Sequence, residues 1–212
     1  MARILYMTSN DGVEQLIGNT PLVRLGRLFP PPGPEVFLKM EQFNPGGSVK
    51  DRTALGMLRH EEQAGRLRPG MTIVESSSGN TAIGLSILSK ERGYRVVAVC
   101  DRHLPAGKRS RLRALGADVV FLPDTPPGLD TVQLRIAVAN HLAGSSDEAI
   151  ALGQYSHPGN PAIHRATTGP EIWEGRQGDV AAIVAAVGTC GTISGVGQFI
   201  KSVDRGVQVV GA

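Results

Sequence analysis

One lysine stands where a short apolar segment gives way to a helical pattern. Lys50 follows the turn-forming residues 45–47 (Pro-Gly-Gly), and Ser48 fits the N-cap of a helix that continues to His60. Lys50 therefore falls in the first helical turn, where the positive end of the helix dipole disfavours an ammonium. A lysine that loses its proton readily is a nucleophile for Schiff-base chemistry. Because most lysines at helix starts are solvated, this residue alone indicates no function.

Two further polar turns separate apolar runs from helical patterns. Residues 188–192 (Gly-Thr-Cys-Gly-Thr) let backbone N–H groups approach an anion at a helix N-terminus, which predicts a phosphate cradle. Residues 76–81 (Ser-Ser-Ser-Gly-Asn-Thr) suit a carboxylate, and Asn80 can reach a ring hydroxyl or an amide of a ligand. Each turn has a plain alternative, a close-packed connection or an N-cap. A lysine nucleophile and both cradles together indicate a pyridoxal phosphate enzyme acting on an amino acid.

The elements that must position these turns alternate between strand and helix patterns. This β-α-β order predicts parallel strands with right-handed crossovers, and ligands bind beyond the carboxyl ends of such strands. We therefore expect the three turns to face one cleft. The continuous apolar run at 180–187 predicts a central, buried parallel strand. A single helix is predicted from the polar loop at 154–160 to about Glu174.

Composition and charge narrow the class of protein. The chain has 212 residues, 41% hydrophobic and 4% aromatic, with 27 glycines and 14 prolines, which is typical of an α/β protein with tight turns. The net charge of +3 gives no nucleic-acid signature. Two cysteines without metal-ligand spacing favour a reduced, cytoplasmic protein with no metal site. No segment is long and apolar enough to predict a membrane span or a signal peptide.

Five motifs occur in an order that matches a known family. They are residues 17–22 (Ile-Gly-Asn-Thr-Pro-Leu), 44–52 (Asn-Pro-Gly-Gly-Ser-Val-Lys-Asp-Arg), 78–81 (Ser-Gly-Asn-Thr), 167–172 (Thr-Thr-Gly-Pro-Glu-Ile) and 188–192. The pattern resembles the cysteine synthase (O-acetylserine sulfhydrylase) and cystathionine β-synthase family, which are pyridoxal phosphate enzymes of fold type II. The resemblance covers nearly the whole chain.

The resemblance implies an α/β fold of the tryptophan synthase β-like type, with two three-layer αβα domains built on parallel sheets. The N-terminal domain is expected at 1–149 and carries Lys50, while about residues 13–40 cross to the other domain. The start of the C-terminal domain is expected at 150–212 and carries the phosphate loop. Family members continue beyond this point, so the second domain is expected to be incomplete.

The resemblance also assigns roles residue by residue. Lys50 would form the Schiff base with pyridoxal 5'-phosphate and take the Cα proton of the substrate, and Asn80 would bond the ring oxygen of the cofactor. The cofactor phosphate would be held by Gly188, Thr189, Cys190, Gly191 and Thr192, and the substrate carboxylate by Ser77, Ser78, Thr81 and Gln154.

The implied activity is β-replacement on an activated L-serine, either O-acetylserine or O-phosphoserine. It runs through an aminoacrylate that is attacked by a nucleophile, typically sulfide. Three alternatives stay open: an amine-acceptor branch that joins O-phosphoserine to an amino acid as a diaminopropionate-precursor synthase, a β-eliminating dehydratase-like enzyme, and a truncated inactive or interaction subunit. A homodimer with a small-molecule amino-acid substrate is expected, without nucleic-acid or membrane partners.

Two departures from the family pattern bear on the site. Cys190 stands where the family usually has glycine, and its side chain is expected to be buried filler while its backbone N–H still binds phosphate. A basic cluster is formed by Lys108, Arg109, Arg111 and Arg113. Lys108 or Arg109 could attract a phosphorylated substrate, although a solvated basic helix is the simpler interpretation.

Overall fold

The computed structural model describes residues 12–124 and 128–212, in which strands and helices alternate. The strands are β1 (Leu22–Arg24), β2 (Phe37–Lys39), β3 (Thr72–Ser76), β4 (Arg95–Cys100), β5 (Asp118–Phe121), β6 (Ala149–Ala151), β7 (Ala182–Ala185) and β8 (Gln208–Gly211). The helices are α1 (Lys50–Gln63), α2 (Asn80–Arg92), α3 (Ala106–Ala114), α4 (Thr131–Ala143), α5 (Gly159–Ile163), α6 (Gly169–Gly175) and α7 (Gly191–Val203). Short 3₁₀ turns occupy Val13–Leu16 and Glu41–Phe43.

The larger sheet has the order β5-β4-β3-β6, and every neighbouring pair is parallel. Successive side chains of a strand point to opposite faces, so Ile73 packs with α1, α2 and α3 while Val74 packs with α4. Helices on both faces bury the two cores and complete three layers. This part of the chain confirms the predicted α/β class with a parallel, three-layer architecture.

The smaller parallel sheet pairs β7 with β8 and is covered on one face by α7. Val196 and Ile200 of α7 are buried there against Ile183. On the opposite face Val184 is 67% exposed, because no element of the described residues covers it. The prediction of a buried central strand at 180–187 is therefore wrong for this chain: the strand is shorter, pairs with β8 alone among the described residues, and is buried on one side.

The antiparallel pair β1–β2 contacts α6 and the residue that follows it. The guanidinium of Arg176 lies 4.0 Å from the ring centroid of Phe37, and Lys39 Nζ lies 2.6 Å from Glu171. These contacts support the crossing predicted for residues 13–40, which stays a prediction. The predicted boundary at residue 150 falls inside β6, which pairs with β3, so a boundary after Leu152 would keep the larger sheet whole.

The region between the two sheets differs from the single helix that the sequence predicts. It consists of α5, a π-helical segment at His164–Thr168, and α6, which follow one another without a break. The close approach of α5 to α1 depends on glycine, since a Cβ on Gly56 would come 2.3 Å from the carbonyl oxygen of Gly159. In the described ranges, no helix is long and apolar enough to cross a membrane.

Candidate active site

Two hydrogen bonds between this turn and the first residues of α1 hold the turn before Lys50 in place. Helix α1 begins at Lys50 with Val49 as its N-cap residue, so the prediction that Ser48 is the N-cap is wrong by one residue. The Ser48 hydroxyl still accepts a hydrogen bond from the Lys50 N–H at 3.2 Å. The buried Asp51 carboxylate accepts the N–H of Gly46, and a Cβ on Gly46 would lie 2.1 Å from that carboxylate. Glycine is therefore the residue that fits this turn.

The Lys50 side chain reaches the predicted phosphate cradle. Its Nζ donates a hydrogen bond to Thr189 Oγ1 at 3.3 Å, across 139 positions of sequence. Burial lowers the pKa of Lys50, and the carboxyl group of Glu75 opposes that shift. A lowered pKa leaves more of the neutral amine at a given pH, as nucleophilic chemistry requires. Burial is the largest cause of the shift, which has the direction that the sequence predicts.

The cradle at 188–192 joins β7 to α7 and presents its backbone to the cleft. Among the hydrogen bonds of the described residues, none is donated by the five backbone N–H groups from Gly188 to Thr192. A Cβ on Gly191 would lie 2.0 Å from Asn160 Oδ1, so this loop packs closely. Unpartnered N–H groups at the start of a 13-residue helix are what a phosphate needs. The residues present therefore fit the cofactor phosphate that the sequence predicts.

Cys190 adopts a backbone conformation that explains why glycine suits its position. Its φ is +62°, in the left-handed region where a Cβ is strained. Its side chain is exposed, so the expectation of buried filler is wrong. The Cys190 thiol faces solvent, whereas the hydroxyls of Thr189 and Thr192 point inward to Lys50 and His164.

The turn at 76–81 is fixed by its own side chains. The Ser77 hydroxyl accepts hydrogen bonds from the N–H groups of Gly79 at 2.9 Å and Ala82 at 3.2 Å, which sets the start of α2. Ser78 is exposed. Asn80 is the first residue of α2, and its side chain has no hydrogen-bond partner among the described residues. Ser78 and Asn80 are therefore open to a ligand, whereas Ser77 already supports the turn.

Thr81 and Gln154 are buried and bonded to each other. Thr81 Oγ1 donates to Gln154 Oε1 at 2.6 Å, and Gln154 Nε2 donates to the carbonyl oxygen of Ser76 at 2.8 Å. The buried carboxyl group of Glu75 accepts the N–H groups of Gly153 and Gln154, at 3.0 and 3.4 Å. Burial raises the pKa of Glu75 to about 7, against the effect of those hydrogen bonds. The loop that carries Gln154 is thus anchored directly beneath the carboxyl end of β3.

Asn160 connects the turns and was not predicted as a site residue. Its Nδ2 donates to the Gln154 carbonyl at 2.9 Å and to Thr189 Oγ1 at 3.0 Å, while its Oδ1 accepts from Thr53 at 3.1 Å. Hydrogen bonds therefore run without interruption from the turn at 76–81 through Asn160 to Lys50. They bring the three turns together at one place in the fold. The sequence had marked Asn160 only as the end of a polar loop.

The comparisons with known proteins agree with this geometry. Residues 13–212 match the family model described as "Pyridoxal-phosphate dependent enzyme". The chain belongs to this family.

Relatives within the pyridoxal-phosphate dependent enzyme family are similar over most of this chain. Cysteine synthase B of Escherichia coli (strain K12) is 39% identical over 199 residues, which are 94% of this chain and 64% of that protein. Cystathionine beta-synthase of Apis mellifera is 40% identical over 196 residues, 92% of this chain and 39% of that protein. A crystal structure of an O-ureido-L-serine synthase variant with O-ureido-L-serine bound has a TM-score of 0.86 at 38% identity, covering 95% of this chain and 61% of that chain. The chain thus spans less than two thirds of the length of these relatives, and its predicted fold class and family are confirmed.

In this member of the pyridoxal-phosphate dependent enzyme family, a buried ion network lies behind the first turn of α1. The Arg52 side chain is 1% exposed and donates to both carboxylate oxygens of Glu41 and of Glu171, at distances between 2.6 and 3.0 Å. It also contacts the hydroxyls of Thr20 and Thr167. Three of the five sequence motifs meet at this guanidinium. The network therefore fixes the segment before β1, the lysine turn and α6 relative to one another.

His164 stands between this network and the phosphate cradle. Its Nε2 lies 3.3 Å from Thr192 Oγ1, and its Nδ1 lies 2.9 Å from Thr168 Oγ1. Burial, helped by the charge of Arg52, lowers the pKa of His164 to about 4. The ring is therefore neutral at neutral pH, where it positions Thr192 without adding a charge to the cradle. The described residues hold no cluster of three or more side chains suited to a metal ion.

Proposed function

We propose that this protein binds pyridoxal 5'-phosphate covalently through Lys50 and uses it for β-replacement on an activated L-serine. The observation that carries the proposal is the 3.3 Å contact between Lys50 Nζ and Thr189 Oγ1, at a loop with five unpartnered backbone N–H groups. It brings a buried lysine with a lowered pKa to a site for a phosphate ester. When bound, the cofactor supplies an electron sink for the carbanion formed at the substrate Cα.

The residues of the cleft have separate tasks in this proposal. The backbone of residues 188–192 holds the cofactor phosphate, and Thr192 is steadied by His164. Asn80, whose side chain has no other partner in the described ranges, bonds the ring oxygen of the cofactor. The amino end of α2 receives the substrate α-carboxylate, because a helix N-terminus favours an anion. Ser77, Ser78, Thr81 and Gln154 are the side chains proposed to line that carboxylate site.

Lys50 is also the proposed base. Its neutral amine takes the proton from the substrate Cα, after which the group on Cβ leaves with the electron pair of its bond to carbon. A nucleophile then adds at Cβ. The names of the relatives, cysteine synthase and O-ureido-L-serine synthase, support the joining of a nucleophile to a serine skeleton over simple elimination. Sulfide is the first acceptor to test, followed by amino acids.

The covalent step is tested by trapping the cofactor on the chain. The protein is incubated with pyridoxal phosphate, reduced with borohydride, digested and sequenced by mass spectrometry. The pyridoxyl mass is expected on the peptide that contains Lys50, and Lys50→Ala should lack it. Lys90→Ala, which removes an exposed lysine of α2, should be labelled like the wild-type protein. A reducible adduct that persists on Lys50→Ala at the wild-type level would overturn the assignment.

The reaction is tested by supplying donors and acceptors separately. O-acetylserine or O-phosphoserine is mixed with sulfide, with an amino acid or with no acceptor, and the products are identified by chromatography. A new Cβ bond to the acceptor supports β-replacement, and an amine adduct would assign the protein to the amine-acceptor branch. Pyruvate and ammonia without acceptor incorporation would indicate β-elimination instead. A chain that binds cofactor but turns over neither donor would favour an inactive or interaction subunit.

Two broader expectations accompany the proposal. A homodimer is proposed, and sedimentation velocity of the purified chain measures the mass directly. A cytoplasmic location is proposed as well, and cell fractionation tests it. If the purified chain is a monomer and still forms the Lys50 adduct, the homodimer is refuted while the proposed chemistry stands.

A further inference from the structure

Helix α3 places basic side chains beside two of the three active-site turns. It carries Lys108, Arg109, Arg111 and Arg113. None of the four lies within ion-pair distance of a carboxylate in the described residues. Basic groups that lack an acidic partner beside a cleft attract anions into it.

Lys108 lies directly on the turn at 76–81. Its ammonium donates to the carbonyl oxygen of Ser78 at 3.3 Å, which uses one of its three hydrogens. A Cβ on Gly79 would lie 2.7 Å from Lys108 Cδ, so the stem of the lysine rests on the glycine between Ser78 and Asn80. The cation therefore stands over the two residues that are most open to a ligand.

Arg111 lies on the other turn. Its guanidinium donates to the carbonyl oxygens of Pro45 at 3.0 Å and Gly46 at 3.1 Å, within the turn that precedes Lys50. Arg109 is directed elsewhere, with its guanidinium 4.8 Å from the ring centroid of Phe121. Arg113 makes no side-chain hydrogen bond within the described chain and is exposed. The four basic residues are thus not one solvated face, because two of them border the cleft.

The carboxyl groups of Asp51 and Glu75, buried near the same turns, balance only part of the positive charge of Lys108 and Arg111. Burial raises the pKa of Asp51 to about 6 and that of Glu75 to about 7, so Glu75 is partly protonated near neutral pH. Lys108 is half-buried and Arg111 is exposed, whereas both carboxyl groups are buried. Lys108 and Arg111 therefore place two positive charges beside the cleft. One would be enough to balance the α-carboxylate of the substrate.

We propose that Lys108, with Arg111 beside it, forms an anion subsite that selects a phosphorylated donor, so that O-phosphoserine is used in preference to O-acetylserine. This inference rests on the proposed function and names its substrate class. With the α-carboxylate at the amino end of α2, the phosphoryl group on the Cβ oxygen falls within reach of the flexible Lys108 side chain. A neutral acetyl group gains nothing from that cation.

The subsite assists the loss of the phosphate leaving group from Cβ as well as the binding of the donor. Loss of the donor group breaks the bond between Cβ and oxygen, the electron pair leaves on the phosphate, and the Cα proton goes to Lys50 Nζ. Negative charge therefore accumulates on the phosphate oxygens during this step. The Lys108 ammonium, which the Ser78 carbonyl holds beside the cleft, stabilises that charge as it develops.

The test is the donor preference, defined as kcat/KM for O-phosphoserine divided by kcat/KM for O-acetylserine with the same acceptor. The wild-type protein should prefer O-phosphoserine. Lys108→Met keeps the stem on Gly79 but removes the charge, and should lower the preference at least tenfold. Lys108→Arg should restore most of it. Arg113→Ala, on the same helix, should keep the wild-type ratio, because its side chain does not border the cleft.

A merely structural role for Lys108 would lower both kcat/KM values together and leave their ratio unchanged, which would overturn the proposal. So would a wild-type preference for O-acetylserine. Calorimetric titration of cofactor-loaded protein with each donor, at two salt concentrations, measures the subsite without turnover. If neither donor reacts, the proposed function fails, but a tighter Kd for O-phosphoserine that Lys108→Met abolishes would still support the subsite. Equal Kd values for the two donors would refute it.

Discussion

Replacement of Arg52 by alanine is expected to destabilise the protein far more than replacement of an exposed arginine. The change leaves the carboxylates of Glu41 and Glu171 in a buried setting, with Lys39 as the remaining cation near Glu171. Removing one partner of a buried pair costs about 3–5 kcal/mol. For a chain of this size each kcal/mol lowers Tm by about 2–4 °C, so we expect a loss of roughly 6–20 °C.

The pH dependence gives a second measure of the same network. Burial would raise the pKa of Glu171, but hydrogen bonds from Arg52 and Lys39 outweigh it and lower this pKa from 4.5 to about 2. A depressed carboxyl pKa adds stability that is complete above the unfolded value and is lost as the pH falls through the folded value. The shift corresponds to about 3 kcal/mol, in the range expected for the buried pair. Arg52→Ala should therefore flatten the stability profile between pH 4.5 and 2.

Thermal unfolding followed by circular dichroism measures both effects. Arg68→Ala is the matched control, because Arg68 pairs with Glu148 at 2.8 Å while both side chains are more than half exposed. An exposed pair is worth about 0–1 kcal/mol, so its loss should scarcely move Tm. If Arg52→Ala does not fold, Glu171→Gln keeps the guanidinium and should cost about 2 kcal/mol. Equal Tm shifts for Arg52→Ala and Arg68→Ala would refute the argument.

Two further predictions concern the cleft. Asn160→Ala removes the link from Thr189 to the Gln154 loop and should weaken pyridoxal phosphate binding about tenfold, since all three side-chain hydrogen bonds of Asn160 are lost; wild-type affinity in a spectroscopic titration would contradict this role. Arg111→Ala should speed hydrogen exchange of amides 46–48 by about threefold to tenfold, because it removes one part-buried and one exposed hydrogen bond to this turn and such a bond contributes about 0.5–1.5 kcal/mol. Arg113→Ala should leave the exchange rates of those amides unchanged. Equal exchange rates in the two variants would show that Arg111 does not stabilise this turn.

Local signals were enough to predict the elements that carry the site. The apolar run from Arg95 to Cys100 predicts a buried strand from its own residues, and β4 spans the same residues. Gly93 ends α2 in the left-handed conformation that glycine adopts without strain. Lys50 lies in the first turn of α1, as predicted from the preceding Pro-Gly-Gly. These features depend on residues within a few positions of one another, which is the range over which a sequence pattern acts.

The features of the fold and the site that the sequence does not predict depend on contacts between residues far apart in the chain. Arg52 meets Glu171 across 119 positions, and Asn160 meets Thr189 across 29. Nothing in the immediate neighbourhood of Asn160 distinguishes a bridging amide from an ordinary loop residue. Likewise, the exposure of Val184 depends on what packs against its strand and not on the strand's own apolar run. The resemblance to a family predicted the motifs, and the folded chain shows why they occur together.

The π-helical segment at His164–Thr168 makes the length of the chain there a structural constraint. Each residue of an α-helix turns the following chain by about 100° around the axis. Loss of a single residue between α5 and α6 would rotate α6 by that angle and carry the Glu171 carboxylate away from Arg52. The segment therefore sets the rotation of α6 about the helix axis relative to α5. Substitutions in the exposed Arg165 and Ala166 should be tolerated, whereas insertions and deletions should not.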